Sequence, residues 1–91
     1  MNGIVFCIVK YLRDKDGITR FGLRLKEVRL EKGFTQEDLA YSCGLTPSQV
    51  GRIERGEINT SLSTIFVLVR TLKVDLKYLF DFELPSYDRE F

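Results

Sequence analysis

Apolar positions along the chain change their period, and each change marks an element. Ile4-Val5-Phe6-Cys7-Ile8-Val9 is a continuous β-branched and aromatic run, extended by Tyr11 and Leu12, which favours a strand. A lone strand leaves its backbone groups unpaired, and no second strand pattern follows in the chain. The run therefore pairs with its copy in a second subunit as an antiparallel ribbon, lies on the rest of the fold as a helix, or has no fixed structure. Asp14-Lys15-Asp16-Gly17 reads as a turn. From Ile18 to Lys32 the period is helical, with Phe21, Leu25, Val28 and Arg29 on one side and Gly33 to close it.

Two short helices follow. Thr35 is an N-cap for the first, and Asp38 stands where a capping box usually has Glu or Gln. Leu39 and Ala40 give it an apolar face, and Gly44 ends it with a positive φ. Thr46 caps the second, Pro47 takes its first position, Val50 and Ile53 share one face, and Gly56 stops it. Glu57 to Thr60 is a polar loop. Ser61 then caps a helix to Leu72 with Leu62, Ile65, Leu68, Val69 and Leu72 inward. Asp75 caps a short last helix carrying Leu76 and Leu79, and Pro85 ends regular structure ahead of a mobile tail. The expectation is an all-α domain of five helices over residues 18–80, with an N-terminal extension (1–17) and an acidic tail (81–91).

The unit from Gln36 to Arg55 has the spacing of a helix-turn-helix, whose second helix enters a DNA major groove. Several runs carry a wider likeness: Arg29, Lys32-Gly33-Phe34-Thr35-Gln36, Leu39-Ala40, Gly44-Leu45, Thr46, Val50, Arg52-Ile53-Glu54-Arg55-Gly56, and Leu62 to Leu79. On these residues the chain resembles the phage repressor and Cro-type (XRE-like) family of regulators, from about Phe21 to Phe80. The resemblance implies a compact lambda-repressor-like bundle that binds double-stranded operator DNA, usually as a dimer. It also implies an architectural ion pair between Arg29 and Glu54, for which arginine has the bidentate geometry.

Base-reading side chains should lie near the start of the second motif helix, away from Val50 and Ile53. Thr46, Pro47, Ser48, Gln49, Gly51 and Arg52 fit. Arg52 can donate two bonds to guanine O6 and N7, and Gln49 can pair with adenine N6 and N7. Ser48 discriminates weakly. Pro47 and Gly51 depart from the family pattern. Pro47 offers only apolar contact. Gly51 costs about 1 kcal/mol in a helix interior relative to Ala, and either lets the backbone approach DNA or is merely tolerated. The resemblance places Gln36 at a helix start where it can hold a phosphate; Arg55, Asn59 and Thr60 are phosphate candidates on the other side.

Composition restrains the picture. Ninety-one residues with 44% hydrophobic content make one domain. With 14 basic and 13 acidic residues the net charge is only +1, unlike the basic footprint of many DNA binders. The tail from Asp81 to Phe91 holds four carboxylates against Arg89, so the rest of the chain is more basic than the total. There is no His, hence neither the usual general base nor the commonest metal ligand. Glu37 and Asp38 suit the dipole of a first helical turn rather than catalysis. No catalytic group, metal or cofactor site is expected. Cys7 and Cys43 form no ligand motif; they read as reduced thiols of a cytoplasmic protein, with a single disulfide as the alternative. Residues 4–9 are too short to span a membrane and lack the lead-in of a secretory signal.

Two functions follow. One is a dimeric, sequence-specific DNA-binding regulator: a phage-type repressor, a restriction–modification controller or an antitoxin. The other is a protein-interaction module on the same fold with weak or no DNA binding, its contacts being the apolar N-terminal run and the C-terminal tail.

Overall fold

The structure, a computed structural model, describes residues 13–86. Five helices make up the fold: α1 (Lys15–Glu31), α2 (Gln36–Cys43), α3 (Pro47–Glu54), α4 (Leu62–Leu72) and α5 (Leu76–Leu79). No strand occurs among the described residues. The apolar run 4–9 and Cys7 lie outside them.

The chain's punctuation follows local chemistry. Thr35 Oγ1 accepts from Asp38 N at 3.0 Å, and the Asp38 carboxylate accepts from Thr35 N at 3.2 Å, a reciprocal cap that starts α2. α1 to α4 all end alike: the amide that follows a left-handed residue reaches back five residues, as from Phe34 to Arg29, Leu45 to Ala40, Glu57 to Arg52 and Val74 to Val69. A left-handed residue makes each reversal. It is glycine at Gly33, Gly44 and Gly56, but Lys73 after α4, with φ 59°.

One apolar core joins the helices: Phe21, Leu25 and Val28 of α1, Leu39 and Ala40 of α2, Val50 and Ile53 of α3, Leu68, Val69 and Leu72 of α4, and Leu79 of α5. α2 and α3 pack on each other; α1 packs on α3, and α4 on α2. Gly22 explains how closely α1 meets α3. A Cβ there would stand 2.4 Å from the Ile53 carbonyl oxygen, so only glycine fits. α5 is tied to α1 by Arg24, whose Nε and Nη2 donate to the Tyr78 carbonyl at 3.1 and 2.8 Å while its guanidinium lies 4.6 Å from the Tyr78 ring centre. The Tyr78 hydroxyl donates to Glu31 at 2.6 Å, and this bond holds the phenol above its usual pKa.

Two expectations are corrected. Residues 14–17 are not a turn: Asp14 is the N-cap of α1, its Oδ1 accepting from Gly17 N at 3.0 Å, so the helix begins at Lys15. Leu62 does not face inward; it is 68% exposed because α4 turns its first apolar residue away from the core. On α5 Leu79 is buried and Leu76 is exposed. The segment after α5 packs on the domain: Phe80 stacks on Phe21 at 5.3 Å, Phe82 lies 5.9 Å from Phe80 and packs on the core, and Leu84 lies beside Gly17.

Candidate nucleic-acid interface

The polar start of α3 stands on an apolar base. Val50 and Ile53 are buried, and the opposite side of the helix carries exposed Thr46, Pro47, Ser48, Gln49 and Arg52. Thr46 Oγ1 accepts from Gln49 N at 3.1 Å, and Gln49 Oε1 accepts from Thr46 N at 2.8 Å. This second reciprocal cap stiffens the helix start. It also occupies the Gln49 carbonyl, leaving its NH2 group for other partners. For Gln49 to read an adenine, the cap must open before both ends of its amide can pair with the base.

Behind α3 lies a buried polar cluster centred on Glu54. Its carboxylate accepts from Arg29 Nε at 2.6 Å, from Arg29 Nη2 at 3.2 Å and from Gln36 Nε2 at 3.0 Å. Arg29 Nη1 donates to the Phe34 carbonyl at 2.8 Å. Arg29 and Glu54 are 6% and 5% exposed. The pair therefore fixes the exit of α1, the start of α2 and the end of α3 against one another. Gln36 reaches into this cluster: its amide Nε2 donates to Glu54 at 3.0 Å, beside the first backbone N–H groups of α2.

Gly51 is buried, contrary to its reading as a DNA-facing position. A Cβ there would lie 3.1 Å from Arg55 Nη1 and 3.6 Å from the Gln36 amide, so those side chains cover it. Thr60 also turns away: its hydroxyl is buried, with no hydrogen-bond partner among the described residues. Asn59 is exposed beside it. A cleft of about 370 Å³ between α1, α2 and α3 is lined by Gln36, Gly51, Glu54 and Arg55 and, from α1, by Thr19, Leu23 and Lys26. Lys26 adds a cation that does not stand out in the sequence, being one of several charges on the solvated side of α1.

Glu57 is the other residue overlooked. Its Oε2 accepts from Arg55 Nε at 2.8 Å, and its Oε1 lies 3.5 Å from Arg52 Nε. The Arg55 bond holds the Glu57 carboxyl below the usual carboxylate range and raises Arg55 in turn. Among the described residues no group of acidic, Cys or His side chains is arranged to hold a metal ion, and no helix is long and apolar enough to cross a membrane.

The family model described as helix-turn-helix matches residues 25–79, from the middle of α1 to the end of α5. The chain belongs to the helix-turn-helix family. As an XRE-type helix-turn-helix protein it is a DNA-binding transcriptional regulator, with α2 and α3 as the motif and α3 as its recognition helix. Over 63 residues it is 40% identical to Control protein C.BamHI of Bacillus amyloliquefaciens, covering 68% of this chain and 78% of that one. The solved restriction-modification controller protein C.AhdI from Aeromonas hydrophila is 44% identical, with a TM-score of 0.67 over 69% of this chain and 91% of that one. Antitoxin HipB of Escherichia coli O6:H1 is 31% identical over 58 residues, 64% of this chain and 62% of that one.

Proposed function

We propose that this helix-turn-helix protein controls transcription in a restriction–modification system, binding a two-fold symmetric operator as a homodimer. The similarity to the restriction-modification controller protein C.AhdI, and to Control protein C.BamHI, supports that role. The observation that carries sequence-specific binding is the exposed polar start of α3, backed by buried Val50 and Ile53. Arg52 reads a guanine edge; Ser48, Gln49 and the ring of Pro47 complete the groove contact, with Thr46 at its border. Arg55, Lys26, Asn59 and the N-terminus of α2 hold phosphates. The protein acts in the cytoplasm, with no catalytic step and no cofactor.

The dimer forms through α4. Leu62, Phe66 and Val67 lie on its outer side, 68%, 41% and 38% exposed, against Ile65, Leu68, Val69 and Leu72 turned inward. An apolar stripe of this kind on a small domain suits a second copy of itself. A second reading, an antitoxin whose tail (81–91) engages a protein partner, is favoured by the similarity to HipB.

Selection of bound sequences from a random duplex pool, with sedimentation of the free protein, tests the reading. A palindromic consensus with half-sites about one DNA turn apart, together with a dimer that Phe66→Glu splits, is expected. An asymmetric or absent consensus would overturn it.

A further inference from the structure

The two arginines on the open side of α3 share one carboxylate. Glu57 uses both oxygens, one on Arg55 Nε at 2.8 Å and one near Arg52 Nε at 3.5 Å. Its position is not left to a flexible loop. The Glu57 N–H bonds to the Arg52 carbonyl at 2.9 Å, the Gly56 N–H bonds to the Ile53 carbonyl at 3.0 Å, and Gly56 supplies the left-handed reversal. The backbone turn that ends the recognition helix thus sets Glu57 against the helix's own cations. Arg13 Nη2 adds a bond to the Glu57 carbonyl at 3.0 Å.

Both carboxylate contacts go to Nε. Among the hydrogen bonds of the described residues, none runs from the terminal nitrogens of Arg52 or Arg55, which make the guanine-reading fork, to Glu57. The carboxylate also cancels part of the positive charge that a phosphate would meet, with the same effect on every DNA sequence.

We infer that Glu57 is a specificity-determining residue of this DNA interface: it aims the arginine forks at their targets and weakens binding to DNA that offers no matching base. The inference rests on the assignment of Arg52 as a base reader, and deepens it. Glu57 acts through Arg52 and Arg55 and is a positioning residue. A surface ion pair of this kind adds little to folding, so its consequence belongs to binding.

The test measures wild type, Glu57→Gln, Glu57→Asp and Arg52→Ala on the duplex selected by the wild-type protein and on a random duplex of equal length, over a salt series. Glu57→Gln should bind random duplex roughly 2- to 5-fold more tightly near 0.1 M salt, because a charge is removed close to the phosphates. Its salt slope should steepen, by up to about 0.9 for each arginine released to a phosphate. The ratio of selected to random affinity should shrink about 5-fold or more, and Glu57→Asp should recover part of it. The unfolding midpoint of Glu57→Gln should match wild type. An unchanged or larger ratio, or equal weakening on both duplexes, overturns the inference. Arg52→Ala judges the underlying assignment separately: if it loses preference at one position per half-site while Glu57→Gln keeps the wild-type ratio, only the role of Glu57 fails.

Discussion

Glu54→Ala should come close to unfolding the domain, although Glu54 lies within the recognition helix and next to the DNA face. Three donors converge on its carboxylate: two from Arg29 and one from Gln36. Truncation leaves Arg29, 6% exposed, with only the Phe34 carbonyl. Removing one member of a buried ion pair costs about 3–5 kcal/mol. At about 0.05–0.15 kcal/mol per residue, a domain of this size holds on the order of 5–14 kcal/mol in all. With a urea slope of about 1.5 kcal/mol per M, the midpoint falls by about 2 M or more. Arg52→Ala sits two residues away but exposes no buried partner, so it should change stability by no more than about 0.5 kcal/mol. Replacing both buried charges, as in Arg29→Met with Glu54→Leu, should cost much less than the sum of the single changes, because no unpaired ion is left inside. Urea unfolding followed by helical circular dichroism gives the midpoints. Equal shifts for Glu54→Ala and Arg52→Ala would refute the architectural role of the pair.

Other expected outcomes follow from single features. Gln36→Ala removes a donor to Glu54 and should cost about 1–2 kcal/mol in urea unfolding, while leaving the salt slope of DNA binding nearly unchanged because no cation is lost. Lys73→Gly relieves a left-handed lysine at the end of α4 and should stabilise by about 1 kcal/mol, a melting-temperature rise of about 4–8 °C. Thr60→Val removes a buried hydroxyl that has no partner among the described residues; it should stabilise by about 1 kcal/mol and leave DNA affinity unchanged, whereas a Thr60 that holds a phosphate would lose affinity.

Much of the fold could be read from local chemistry. Thr35, Gly44, Thr46 and Pro47 act within a few residues of themselves, so their roles survive any tertiary context. The exit from α4 could not be read that way, because a lysine does there what glycine does elsewhere. Asp14 was mistaken for a turn residue because aspartate starts turns and caps helices through the same side-chain bond to a following N–H. Leu62 and Leu76 fit the helical period, yet periodicity does not say where the core ends. The site was legible to the same degree. The polar side of α3 follows from Val50 and Ile53, but Gly51 and Thr60 are turned inward by neighbours far apart in sequence. Gln36 shows the limit most clearly: its place at the start of α2 is local, whereas its bond to Glu54 spans 18 residues. The part played by Glu57 depends on a backbone turn folding it back on the helix, which composition does not reveal.

The central claim is that α3 reads bases, with Arg52 as its main reader. Binding of Arg52→Ala to the selected operator, its single-base variants and random duplex tests that claim most directly. The account predicts a loss of about 1–3 kcal/mol on the operator, relaxed preference at one position per half-site, and a smaller change on random DNA. An equal loss on every sequence would make Arg52 a backbone clamp and contradict the account.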